Sequence, residues 1–191
     1  MWKQIRPALY LLFWLTLLTG IVYPLVTTAV ADAVFAEKAH GSLLRKDGRL
    51  VGSALIGQWF ADAKYFWPRP SATAPEPYNG ASSSGSNLGT LSEDLRKQRA
   101  GRQAALWEAD PGNRDAAPQD LLAASGSGLD PHISPAAAAY QAGRVARMRG
   151  MPRERVDALI AAATEGRQFG VLGEPRVNVL VLNLSLDEGH E

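Results

Sequence analysis

Residues 7–31, PALYLLFWLTLLTGIVYPLVTTAVA, form an uncharged run between Arg6 and Asp32. As a helix rising about 1.5 Å per residue the run is roughly 37 Å long, enough to cross a hydrocarbon core of about 30 Å with some tilt. Everything after it must lie on one side of a membrane. Pro24 removes a backbone donor and crowds the preceding turn, so it reads as a kink, with Thr27, Thr28 or neighbouring helices available to meet the freed backbone groups.

A cleaved signal peptide is the rival reading, since Lys3 and Arg6 make a basic start and Ala29-Val30-Ala31 resembles a cleavage site. Signal peptides use an apolar core of about 7–15 residues, and this run is longer, which favours a retained anchor. The charge count barely orients it, because Lys38, Arg45 and Lys46 follow the span as Lys3 and Arg6 precede it. A short tail is nevertheless easily left in the cytoplasm. The expected order is a cytoplasmic N-terminus at 1–6, a transmembrane helix at 7–31 and an external domain at 32–191, periplasmic in a bacterium.

Of the 191 residues, about 160 remain after the span, a length suited to one core. A net charge of +1 gives no pull toward nucleic acid. The chain has no cysteine, which removes disulfides, thiol nucleophiles and thiolate metal sites.

Asp32–His40 can prolong the helix. Lys46-Asp47-Gly48-Arg49 predicts a hairpin with strands near Ser42–Arg45 and Arg49–Ile56. The segment from Gly57 to Pro77 gathers Trp59, Phe60, Tyr65, Phe66 and Trp67, for which core and interface readings compete. Residues 78–89, YNGASSSGSNLG, form a loop. Thr90-Leu91-Ser92-Glu93 has the form of a capping box that opens a helix to about Ala109. Ser134-Pro135 starts another that stops at Gly150, with Tyr140, Val145 and Met148 on its apolar side. Arg153–Thr164 predicts a further helix. Alternating Val and Leu residues predict a last strand over Arg176–Leu186 that returns to the early ones. The expected fold class is α+β, a small sheet packed by helices.

Ser125, Ser127, Asp130 and His132 include the residue types of a hydrolytic triad, but triads are assembled by folds and not by crowding in sequence. Ala81-Ser82-Ser83-Ser84-Gly85 has alanine where a nucleophile elbow needs glycine. Ser125, Gly126, Ser127, Gly128, Asp130 and His132 also invite a phosphate reading, since small residues before a helix N-terminus can present amides to an anion. Pro131 stands where a dinucleotide fingerprint has its third glycine, and no GxxxxGK[ST] occurs. His40, His132 and His190 have no ligand spacing, so no metal is expected.

SGSGLDPHISPAAAAYQAGRVA resembles the C subunit of the bacterial Kdp potassium-transporting ATPase. GSLLRKDGRLVGSALIGQWF, YFWPRPSA, YNGASSSGSNLG and TEGRQFGVLGEPRVNVLVLNLSLD resemble the same family's blocks in the same order. One departure follows Asn87-Leu88-Gly89, where the family commonly has a proline and a second asparagine and this chain has Thr90-Leu91-Ser92. The resemblance implies an inner-membrane complex with two partners, a potassium-channel-like subunit and a P-type subunit that hydrolyses ATP. It implies an accessory role in assembly and as a catalytic chaperone that raises the pump subunit's ATP affinity. No Asp-Lys-Thr-Gly-Thr phosphorylation sequence occurs, so no catalytic residue is expected and no cofactor is firmly bound; ATP enters only through the complex. Candidate partner contacts are Gly20 in the anchor and Trp59, Tyr65, Trp67, Asn79 and Asn87 in the body. An anchored periplasmic hydrolase using Ser127 and His132 is the alternative, and a binding module released after Ala31 a third.

Overall fold

A computed structural model describes residues 2–188 in two compact units, one up to Gly52 and one from Ser53 onward. The first holds a helical segment over Trp2–Ala39, 38 residues, long and apolar enough to cross a membrane and kinked at Phe35, where φ −132 and ψ 35 leave the helical region. It comprises α1 (Trp2–Leu17), a π turn (Leu18–Val22) and α2 (Tyr23–Ala39). The irregularity expected at Pro24 is this wider turn just before it. Gly20, whose carbonyl the proline leaves without its usual donor, lies inside it, and the extra residue per turn steps the ladder past the ring. Thr27 Oγ1 donates to the carbonyls of Tyr23 at 2.8 Å and Pro24 at 3.0 Å.

The hairpin forms at Asp47-Gly48, both in the left-handed region that a primed turn requires. Its strands, β1 (Leu43–Lys46) and β2 (Arg49–Ser53), form a sheet of their own. β2 stops short of Ile56 because Ser53 turns the chain, accepting the Leu55 amide on Oγ at 3.1 Å and the Ile56 amide on its carbonyl at 3.3 Å.

In the second unit come α3 (Glu93–Ala109), α4 (Gln119–Leu122), β3 (His132–Ile133), α5 (Pro135–Arg149), α6 (Arg153–Ala162), β4 (Thr164–Glu165), β5 (Arg176–Asn178) and α7 (Val179–Glu188). The fold is α+β. The antiparallel sheet runs β3-β5-β4, with Ile133 and Thr164 both opposite Val177. β5 is the central strand, but its neighbours are β3 and β4 and not the early hairpin. α5 packs on α6, α6 on α7, and α5 and α7 on β5. The core they enclose includes Phe66, Leu106, Leu121, Ile133, Val145, Val156, Val177, Leu182 and Leu186.

Two further expectations are corrected. Ser92, not Thr90, caps α3, its side chain accepting from the Leu95 amide. The long last strand ends after three residues, where the Asn178 side chain accepts the Val181 amide at 3.1 Å and starts α7. The buried residues Val179, Leu180, Leu182, Asn183 and Leu186 then follow the helical spacing i, i+1, i+3, i+4, i+7. Ser134 and Gly150 bound α5 as expected, Ser134 Oγ accepting the Ala137 amide at 3.0 Å.

The inner face of α5 differs from its sequence reading. Tyr140 is half-buried and Met148 exposed, while Gln141 and Arg144 are fully buried beside Ala137, Ala138, Ala142 and Val145. Arg147 and Arg149 pair with Asp110 at 2.6 Å and Asp187 at 2.7 Å.

Candidate functional site

The aromatic segment is held like a strand, but by side chains. Gln141 accepts the Trp67 amide at 2.8 Å and donates to the Trp67 carbonyl at 3.1 Å. Asn183 does the same for Phe66 at 2.9 and 3.0 Å. Each primary amide supplies one acceptor and a donor in a single plane, which matches a peptide unit that has no strand beside it. Arg144 donates to the carbonyls of Ala63 and Tyr65 and to Gln141 Oε1, and lies 4.7 Å from the Trp67 ring centroid. Arg102 faces the same ring at 5.3 Å, so Trp67 contacts two guanidinium groups. Burial pulls both arginines below their ordinary pKa, Arg144 to about 10. Gln141 and Arg144 are the residues sequence reasoning missed. Their spacing of three puts both on one helix face, which was the available signal.

The rings of the aromatic segment divide between roles. Phe66 and Trp67 are core residues. Tyr65 is half-buried, its hydroxyl donating to Asp187 Oδ2 at 3.0 Å. Trp59 is 46% exposed and lies over Arg102 at 5.5 Å. Of the proposed contacts, Trp67 is therefore withdrawn from the surface and Trp59 remains on it.

The segments around 69–85 and 124–130 interlock. The Ser84 amide and Ser83 Oγ donate to the Ser127 carbonyl at 2.9 and 3.0 Å, Ser71 Oγ to the Gly128 carbonyl at 2.7 Å, and the Gly57 amide to the Leu129 carbonyl at 2.9 Å. Ser125 is buried, its Oγ accepting the Gly128 amide at 2.9 Å, while exposed Ser127 accepts the Leu129 amide at 3.1 Å. Gly128 has φ +69, and a Cβ there would stand 2.6 Å from the Ser84 carbonyl oxygen and from Thr73 Cγ2. No other residue fits. Gly126 is exposed in the same turn. Asn79 is half-buried, donating to the Ala74 carbonyl at 3.0 Å and accepting the Ala81 amide at 3.0 Å in its own turn; Asn87 is exposed, in the left-handed region.

Asp130 accepts from Arg69 at 3.0 Å, the His132 amide at 3.0 Å and His132 Nδ1 at 3.3 Å. Burial pushes its carboxyl up, but the His132 and Arg69 interactions more than offset this and hold it below the ordinary range. His132 Nε2 faces Glu165 at 4.0 Å. The Tyr78 hydroxyl donates to the Arg69 carbonyl at 2.7 Å and is raised above its usual pKa by burial and by Asp130.

This geometry gathers Ser125, Gly126, Ser127, Gly128, Asp130 and His132 into one region without forming a nucleophile–base pair. Both serine hydroxyls accept amides of their own turn, and the His132 ring is directed at carboxylates. The anion seat at the start of α5 also has a resident: Asp120 Oδ2 accepts the Ser134 amide at 2.7 Å. A phosphate there would meet a carboxylate. Among the described residues no three His, Asp or Glu side chains converge as metal ligands; His190 lies outside the described residues.

Among the described residues, one helix long and apolar enough to cross a membrane and an α+β body whose loop hydroxyls brace its own backbone set the class, a chain with a candidate membrane span and an attached domain. The family follows from comparison with known proteins. A family model described as KdpC, K+-transporting ATPase, c chain, matches residues 5–188, and the chain belongs to that family. It is 59% identical over 183 residues to the potassium-transporting ATPase KdpC subunit of Polaromonas naphthalenivorans (strain CJ2), covering 96% of this chain and 93% of that one. It is 57% identical to the KdpC subunit of Sorangium cellulosum (strain So ce56) over 98% of both, and 56% identical to that of Methylococcus capsulatus (strain ATCC 33009 / NCIMB 11132 / Bath) over 97% of both.

Proposed function

We propose that this chain is a non-catalytic accessory subunit of an ATP-driven potassium uptake complex in the bacterial inner membrane. Residues 1–6 lie in the cytoplasm, 7–31 cross the bilayer, and 32–191 form a periplasmic domain. The observation that carries the reading is identity of 56–59% over nearly the whole length of chains named as KdpC subunits. It is supported by a serine-rich region whose hydroxyls are engaged by their own turn. The partners are a potassium-channel-like subunit and an ATP-hydrolysing P-type subunit.

A periplasmic body cannot reach cytoplasmic ATP. The chaperone effect on ATP affinity is then a coupling free energy, in which the subunit binds one pump conformation better than another; a tenfold change in affinity needs about 1.4 kcal/mol of such preference. The anchor packs against partner helices through Gly20, where an added Cβ would meet nothing within this chain, and Trp59 and Asn87 contribute to the external contact.

Purification of the complex through its ATP-hydrolysing subunit, with and without this chain, tests the reading. The chain should copurify and lower the KM for ATP. An unchanged KM in a fully assembled complex would refute the chaperone role. The periplasmic hydrolase reading predicts ester or amide turnover lost in Ser127→Ala, and the geometry around Ser127 favours no such loss.

A further inference from the structure

The loop between β4 and β5 displays apolar side chains to water in a fixed shape. Gln168 and Leu172 exchange amide-to-carbonyl bonds, both 2.9 Å, across a turn at Phe169 (φ +53) and Gly170 (φ +77). Below the turn Arg167 grips Glu174 through two bonds of 2.9 and 2.8 Å, and Arg176 pairs with Glu165 at 2.7 Å. Phe169 is 92% exposed, Val171 71% and Leu172 57%. A phenylalanine in the left-handed region costs stability that glycine or asparagine would not, and here the cost holds the ring away from the body.

We propose that residues 168–172 form a docking finger that seats Phe169, Val171 and Leu172 in an apolar pocket on another subunit of the potassium-transporting ATPase. The inference rests on the accessory-subunit reading above. Two observations choose this occupant. The three side chains expose roughly 400 Å² in total, the size of a functional patch but about half of what each partner buries in a stable free-standing interface, so the finger suits one contact in an assembly already held together by other means. Such an area does not sustain a dimer of this chain alone. The four flanking charges form two ion pairs with no net charge, so the tip lacks the basic excess that draws peripheral segments onto anionic headgroups. A neutral apolar tip with a neutral rim is complementary to an uncharged protein pocket.

The test uses the intact complex, purified through the ATP-hydrolysing subunit, with the wild-type chain, Phe169→Gly, and a chain carrying a photoreactive phenylalanine analogue at 169. Glycine accepts the backbone angle, so Phe169→Gly should keep or raise the denaturation midpoint of the full chain in detergent while the chain leaves the complex at least tenfold faster. The photoreactive chain should crosslink to another subunit. A wild-type dissociation rate in Phe169→Gly, or crosslinks only to lipid or to a second copy of this chain, overturns the finger while leaving the accessory-subunit reading intact. Failure of the wild-type chain itself to copurify overturns both.

Discussion

Replacing Gln141 with leucine tests how the aromatic segment is held. The two side chains are close in volume, so little cavity is created, but the Trp67 amide and carbonyl lose their partners and Arg144 loses an acceptor at 2.7 Å. An unpaired buried polar group costs about 1–3 kcal/mol, so two backbone groups and a weakened guanidinium contact sum to roughly 3–5 kcal/mol. That is a large part of the 5–15 kcal/mol typical of a domain. Gln141→Glu keeps the acceptor for Trp67 and Arg144 and loses only the donor, so it should cost about 1–2 kcal/mol. Urea unfolding of the full chain in detergent micelles, followed by tryptophan fluorescence, measures both. Equal midpoints for wild type and Gln141→Leu would refute the claim that this amide takes the place of a strand.

Gly128→Ala should destabilise by about 2 kcal/mol or more, or displace the 71–73 segment, because its Cβ meets backbone oxygen at 2.6 Å; the same unfolding assay and protease sensitivity near Ser84 report it. Asp130, held low by His132 and Arg69, contributes stability that is present above the ordinary carboxylate pKa near 4 and is lost as pH falls through its lower folded value. Asp130→Asn removes the charged acceptor of Arg69 and His132 and should lose about 1–2 kcal/mol at pH 7, and its gap to wild type should close as pH falls below the ordinary carboxylate range in acid titrations of stability. Ser127→Ala removes one exposed acceptor and should change stability by less than about 1 kcal/mol with pump support intact in potassium-limited growth.

Local chemistry wrote the legible parts of this fold. Asp47-Gly48 fixed the hairpin and Ser134-Pro135 with Gly150 bounded α5, because each depends only on neighbouring backbone angles. The error at the C-terminus has a physical source. A run that alternates Val and Leu offers an apolar face at either period, and the deciding residue was Asn178, whose side chain caps α7. The site was less legible. Gln141 and Arg144 look like the polar face of a surface helix until the chain 74 residues away brings unpaired backbone to them. The bonds joining Ser83 and Ser84 to Ser127 are likewise non-local, so a serine-rich stretch that resembles linker or active site proves to be one half of a brace.

Sidedness tests the central claim most directly. The chain has no cysteine, so Ala81→Cys and Lys3→Cys each introduce a unique label on opposite sides of the span. A membrane-impermeant maleimide added to intact spheroplasts should modify Ala81→Cys and leave Lys3→Cys untouched until the inner membrane is permeabilised. Labelling of Lys3→Cys alone would put the body in the cytoplasm, contradict an indirect action on ATP affinity, and require direct contact with nucleotide in its place.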